Sequence, residues 1–274
     1  MTMRSGATTR TLCGVTESET RRVQAFYDQL APTFDRIHAD WALSVQRQGA
    51  ALERLLDSRL GENRPHRVLD CTCGIGTQTL GLLQRGHIVV GSDLSTSAVQ
   101  RASRESLAGG FGARFVAADM RRLSFQSATF DAALSADNSL PHLLTEAALQ
   151  SALLEMARVT RPGGALLINI RDYDEALVDR PGSRPPSVSG EIGHRVVTFQ
   201  LWHWHADNEH YDVELFQLSE DDADWTVSHW SMPSWALSRT TVEEAAHIAG
   251  WGDMTWHEPT GDGFFHPVLL ATKR

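Results

Sequence analysis

Residues 67–96, R-V-L-D-C-T-C-G-I-G-T-Q-T-L-G-L-L-Q-R-G-H-I-V-V-G-S-D-L-S-T, decide the fold. A short apolar strand, Arg67 to Leu69, runs into Asp70, then a turn holding Gly74 and Gly76, then a helix expected from about Thr77 to Gln84. Glycine at these two places lets backbone approach a ligand closely and take positive φ, and the helix start that follows offers unpaired N–H groups. A second strand, His87 to Gly91, leads to Asp93, 17 residues after Gly76. In dinucleotide folds a carboxylate about 20 residues on accepts ribose hydroxyls, so Asp93 is the expected ribose ligand.

The glycine pattern departs from G-x-G-x-x-G, with Cys73 in place of the first glycine and Gln78 or Thr79 in place of the third. Losing the glycine that admits a pyrophosphate argues against NAD or FAD and for a nucleoside ligand without phosphate, such as S-adenosylmethionine. A generic nucleotide-binding Rossmann domain is the rival reading. The run D-C-T-C-G-I-G, residues 70–76, resembles the D-x-x-C-G-x-G form of motif I in class I methyltransferases, the glycine and sarcosine N-methyltransferase group above all. The resemblance implies S-adenosyl-L-methionine as cofactor, held by Asp70, Cys73, Gly74, Gly76, Asp93 and Leu94. It also implies an α/β fold: a Rossmann-like sheet with an N-terminal helical cover.

A chain of 274 residues suits one large α/β domain with insertions. A net charge of −9 disfavours a sequence-blind hold on nucleic acid and points to a small-molecule substrate. No apolar run approaches membrane-spanning length, and the first twelve residues lack a signal peptide's hydrophobic core, so a cytoplasmic protein with no membrane partner is expected. Cys13, Cys71 and Cys73 are odd in number, with two of them inside the glycine turn, so neither a disulfide nor a metal site is expected. A homo-oligomer stays open.

The expected organisation is a structureless tail over residues 1–16, a helical cover over 17–66, a cofactor-binding core over 67–172, an inserted antiparallel cap over 173–239, and a helix and strands over 240–274 that complete the sheet. Apolar periodicity predicts helices from Ser18 to Leu30 and Trp41 to Leu60, separated at Pro32. From Arg67 strands and helices alternate, which means a parallel sheet with helices on both faces. Arg180 to Gly190, rich in Pro, Ser and Gly, reads as a loop. Seven of the eight tryptophans lie between 202 and 256, where Arg195–His205, His210–Leu218 and Trp225–Trp235 alternate as strands of a β meander. The last strands are expected near Met254–Glu258 and Phe264–Thr272.

Methyl transfer from a sulfonium is an in-line displacement, so positioning residues matter more than acids and bases. Asp119 ends the third strand of the alternation, where it can accept the adenine amino group while Met120 packs on the ring. The segment A-D-N-S-L-P-H-L, residues 136–143, resembles G-N-S-x-x-H-L of the glycine N-methyltransferase group. By that resemblance Asn138 contacts substrate, while Ala136 and His142 lie on the cofactor side. N-I-R-D-Y-D, residues 169–174, resembles R-N-Y-D, whose arginine grips the substrate carboxylate, so Arg171 is the leading substrate residue. Tyr27, in F-Y-D-Q-L-A-P-T-F-D, resembles the tyrosine that closes over the methionine end of the cofactor. Arg47 resembles the arginine for the cofactor carboxylate. His203, His205 and His210 resemble a metal cluster only superficially, since no carboxylate partner is implied. The expected reaction is N-methylation of an amino-acid-type amine, glycine- or sarcosine-like. The rivals are O-methylation of a specialised metabolite, with His142 or His266 accepting the proton, and a cofactor-binding regulatory protein without catalysis.

Overall fold

The computed structural model describes residues 11–12, 15–222, 224–261 and 263–274. Most of the expected tail, Cys13 included, lies outside the described residues. Its end carries two short antiparallel strands, β1 (Thr11–Leu12) and β2 (Val15–Thr16). Helix α1 (Glu17–Leu30) starts on a capping box, with Thr16 Oγ1 accepting from Glu19 N–H and the Glu19 carboxylate accepting from Thr16 N–H. It turns Val23, Phe26 and Leu30 inward. Pro32 sits in a 3₁₀ stretch, Ala31–Ile37, before α2 (Trp41–Leu60), which Asp40 caps and Gly61, at φ +81°, ends.

Alternation then follows as β3 (Arg67–Asp70), α3 (Thr77–Leu83), β4 (Ile88–Asp93), α4 (Thr96–Ala108), β5 (Arg114–Ala117), β6 (Phe130–Ser135), α5 (Glu146–Val159) and β7 (Thr160–Asn169). After α6 (Asp174–Asp179) come β8 (Ser183–Ser189), β9 (Val196–Trp204), β10 (His210–Asp221) and β11 (Asp224–Trp235), then α7 (Arg239–Ile248), β12 (Trp251–His257) and β13 (Val268–Lys273). Among the described residues the main sheet has seven strands in the order β12-β13-β7-β6-β3-β4-β5, and β13 alone runs against the others. The fold is therefore a Rossmann-like α/β sheet, and β8 to β11 form a separate antiparallel sheet beside it. The chain leaves β3 toward β4 on one side and returns to its other side as β6, and ligands bind at such a switch point, beyond the carboxyl ends of the strands. Asp70, Asp93, Ser135 and Asn169 are the last residues of β3, β4, β6 and β7, so that edge is polar.

Both faces of the sheet are covered, which is why Ala165–Ile168 reads as an unbroken buried run. One face packs Val68, Ala132 and Leu134 against Leu52 and Leu56 of α2 and Leu82 of α3. The other joins Leu69, Ala133 and Ile168 to α5, α7, Phe26 and the inner side of the antiparallel sheet, including Trp202, Tyr211 and Met232.

The loop expected over 180–190 is a strand. Among the described residues β8 lies at the sheet's edge and pairs with β9 alone, and its register shifts between Arg184 and Ser187, where Pro185 and Pro186 sit. Proline lacks the ladder donor but is tolerated at an edge or a bulge, so composition hid the strand. The final strand is also shorter than expected, starting at Val268 after Pro267.

Helices α2 and α3 meet backbone to backbone. A Cβ on Gly81 would lie 2.5 Å from the Val45 carbonyl oxygen and 2.8 Å from Gly49 Cα. Neither helix backbone can yield without shifting the glycine turn that α3 follows. Gly81→Ala is expected to lower stability by about 2–3 kcal/mol, read as a lower urea midpoint at unchanged slope; a midpoint at or above wild type would show that the helices separate freely.

Candidate active site

The glycine turn forms one wall of a cleft at the switch point. Gly74 takes φ +50°, and a Cβ built there meets nothing within 4 Å, so its open side faces the cleft. Asp93 stands on the same wall. Its Oδ2 accepts from Gly74 N–H and its Oδ1 from Ser95 N–H, both at 2.8 Å, which fixes the carboxylate and leaves it acceptor capacity toward the cleft. Desolvation raises its pKa. Leu94, Asp119, Met120 and Cys73 continue the wall. The Cys73 thiol is buried, and burial pushes its pKa well above the usual thiol range, so it packs as a small apolar side chain. Both oxygens of Asp119 already face Arg121 Nε at 3.0 Å. Thr20, Val23 and Tyr27 from α1 close the opposite side.

Four expected cofactor contacts lie off this wall. Asp70 is fully buried beneath the turn, accepting from Thr79 Oγ1 at 2.8 Å, and burial pushes its carboxyl up to about 7. Gly76, at φ +100°, would place a Cβ 3.3 Å from Ala102, so it lets α3 start close against α4. Ala136 is buried, its N–H bonded to Thr72 Oγ1 and its carbonyl to Ser139 Oγ. Arg47 is exposed because α2 turns Val45, Gln48, Gly49 and Leu52 inward.

A chamber of about 640 Å³ adjoins the cleft, and Tyr27, Phe34, Asp137 and His142 line both. Tyr27 Oη and His142 Nε2 are 2.8 Å apart across this junction. Desolvation raises the phenol's pKa and pushes the imidazole's down to about 4, so both are neutral at pH 7. Asp137 and Asn138 take consecutive left-handed conformations, φ +52° and +62°, which Asp and Asn tolerate better than most residues. Asp137 is held by Gln78 Nε2, which donates to Oδ2 at 2.8 Å, and by Asn169 Oδ1, which accepts from its N–H. Desolvation raises its pKa.

Asn138, expected to contact substrate, has its side chain engaged within the protein: Oδ1 accepts from Arg171 N–H at 2.9 Å and Nδ2 donates to Tyr173 Oη at 2.8 Å. It therefore fixes where Arg171 leaves the sheet. The Arg171 guanidinium lines the chamber, 4.8 Å from the centre of the Trp202 ring, with its Nε buried and unpartnered. The three cap histidines each face a carboxylate that the sequence did not imply: His203 with Glu214, His205 with Asp212 and His210 with Asp207. Sequence reasoning passed over Asp137, although it stands inside the quoted 136–143 segment. Gln78 and Asn169 carried no signal beyond their place at a helix start and a strand end. Arg184 and Trp202, which also line or support the chamber, come from the antiparallel sheet.

Among the described residues, no helix is long and apolar enough to cross a membrane. Residues 68–164 match the family model described as a methyltransferase domain. Glycine/sarcosine N-methyltransferase of Parasynechococcus marenigrum is 31% identical over 76% of this chain and 70% of its own length. Malonyl-[acyl-carrier protein] O-methyltransferase of Pseudescherichia vulneris is 36% identical over 53% of this chain and 52% of its own length. Among solved structures, an S-adenosylmethionine-bound amino pentose methyltransferase from Micromonospora echinaspora superposes with a TM-score of 0.70 at 22% identity, covering 84% of this chain and 92% of that one. An open glycine turn beside an amide-anchored carboxylate fits a nucleoside that lacks a pyrophosphate, and with likeness of this extent the chain belongs to the class I S-adenosylmethionine-dependent methyltransferases.

Proposed function

We propose that this enzyme methylates the amine of a small acceptor bearing an acidic group, an amino-acid-type acceptor. The observation that carries the reading is the Arg171 guanidinium, which faces the chamber with no carboxylate in ion-pair contact among the described residues. Bound in the cleft, S-adenosylmethionine supplies a methyl group on a positively charged sulfur. Asp93 would accept the ribose hydroxyls, Leu94 and Met120 would pack against the adenine, and Asp119 would accept its amino group with the oxygen capacity that Arg121 leaves. Tyr27, hydrogen-bonded to His142, would close over the methionine end and keep water from the junction.

On the acceptor side, Arg171 would hold the acidic group by two parallel hydrogen bonds, and the apolar surroundings, including Leu30, Phe199 and Met232, would disfavour an ammonium. Asp137, the one carboxylate among the described residues that cleft and chamber share, would take up the amine's proton. O-methylation of a hydroxyl is less well served, because desolvation pushes both His142 and His266 down to about 4 and leaves them weak bases.

The test is a screen with radiolabelled cofactor against amino acids, their esters, their decarboxylated amines and phenols. Label should pass to amines that keep an acidic group, with esters and decarboxylated amines at least about tenfold poorer, as loss of a charge-assisted pair of hydrogen bonds implies. A phenol or neutral amine as the best acceptor would overturn the reading.

A further inference from the structure

Arg171 is not alone at the chamber wall. Arg184, from the proline-bearing edge strand β8, also lines it, and its guanidinium carbon lies 5.1 Å from the centre of the same Trp202 ring. The two distances to one ring centre put the two guanidinium carbons no more than about 10 Å apart. Trp202 is itself fixed: it is 3% exposed, and Tyr211 stacks on it with ring centres 4.4 Å apart and planes 19° from parallel. Tyr211 in turn meets Tyr173, which Asn138 holds. A single buried aromatic stack therefore carries both cations, one from the carboxyl end of β7 and one from the inserted sheet.

Among the described residues nothing neutralises either cation. Among the described residues neither guanidinium makes an ion pair, and the Nε of each is buried without a hydrogen-bond partner. Asp172, next to Arg171 in the chain, pairs with Arg239 instead. The like charges act on each other and on their surroundings: desolvation, then Arg171, lowers the pKa of Arg184, and the imidazole of His266 feels both arginines after desolvation. Holding two such charges together without a counter-ion costs free energy that a bound anion would return. The chamber is also roomy, since about 640 Å³ lies within the range of roughly 300–1,000 Å³ that houses drug-sized ligands. A glycine-sized acceptor would leave most of it to water.

We propose that Arg171 and Arg184 form one anion site on Trp202, and that the acceptor of this enzyme is larger than glycine and doubly acidic, carrying a phosphate ester or two carboxylates. This rests on the chamber being the acceptor site. Each guanidinium offers its own planar fork, so one fork engages each pair of acidic oxygens. Arg171 sets the distance to the junction, and Arg184 selects for the second charge. The inserted sheet thereby acts in acceptor choice as well as in covering the core.

The test is calorimetry on the full chain saturated with S-adenosylhomocysteine, at fixed ionic strength and pH 8, with acetate, glutarate and inorganic phosphate as probes. Glutarate or phosphate should bind at least about tenfold more tightly than acetate, and which of the two does so tells whether the charges sit on two groups or one. Arg184→Gln should bring the dianion down to the level of acetate, leave acetate within about twofold, and leave S-adenosylhomocysteine affinity unchanged without lowering the melting temperature; Arg184→Lys should recover part of the preference. Dianions no tighter than acetate in the wild type, or a preference that survives Arg184→Gln, would overturn the two-arginine site. If acetate binding depends on Arg171 while Arg184→Gln changes nothing, the single-carboxylate reading stands and this one falls. A dianion preference lost in Arg184→Gln, together with a phenol as the best acceptor, would keep this site and remove the amine.

Discussion

Arg171→Lys is expected to lower turnover on the order of 100-fold while cofactor affinity stays within about twofold. The backbone of Arg171 is tied down independently of its side chain, through Asn138 Oδ1 at 2.9 Å, so the substitution changes only what projects into the chamber. A lysine keeps the charge but presents one ammonium where the guanidinium presents a planar fork, and it stacks less well on Trp202. The acidic group would still be attracted, but the amine would no longer be held in line with the methyl group. A misplacement of about 1 Å is enough for a loss of that order. Single-turnover rates and calorimetry with S-adenosylhomocysteine separate the two effects. Normal turnover in Arg171→Lys on an acidic acceptor would show that the guanidinium serves only to pack on Trp202.

Asp93→Ala should weaken S-adenosylhomocysteine binding by roughly 1–3 kcal/mol, about 5- to 150-fold, through an unpaired ribose diol and a loosened turn. The carboxylate accepts from Gly74 N–H as well as facing the cleft, so its loss also frees the glycine that gives the ligand room. Asp93→Asn should be nearly as damaging, because its amide NH2 would stand against one of the two backbone N–H groups that now donate to the carboxylate. Calorimetry with S-adenosylhomocysteine and NADH decides the matter: wild type should bind the first and not the second. Affinity in Asp93→Ala within twofold of wild type would remove Asp93 from the cofactor site.

The strand, turn, helix and strand over residues 67–96 were legible because each step is local. Apolar alternation, two glycines and an acid at a strand end lie within thirty residues, and the turn brings Gly74 onto the Asp93 carboxylate whatever the rest of the chain does. What that register does not show is depth: Asp70 and Gly76 lie in the same run, and they support the turn from beneath and behind. For Arg47 the sequence carries no warning: Leu43 and Ala50 flank it at helical spacing, and only the structure shows that Val45, Gln48, Leu52 and Leu56 form the inward stripe of α2.

The sequence by itself determined the α/β alternation, the cofactor-type turn, the arginine at the end of the fifth parallel strand and the presence of a tryptophan-rich insertion. Only the tertiary structure decided which side chains meet. Tyr27 and His142 are 115 residues apart in the chain and 2.8 Å apart at the junction. Asn138 was legible as a site residue, but that its side chain is spent on Arg171 and Tyr173 depends on how β6 and β7 end side by side. Arg184 was invisible because two prolines made its segment read as a loop, and only pairing along β9 makes it an edge strand beside Trp202. Period and turn chemistry act over a few residues and leave a mark in the sequence. Distances across a cleft are set by the packing of whole elements, and no local pattern encodes them.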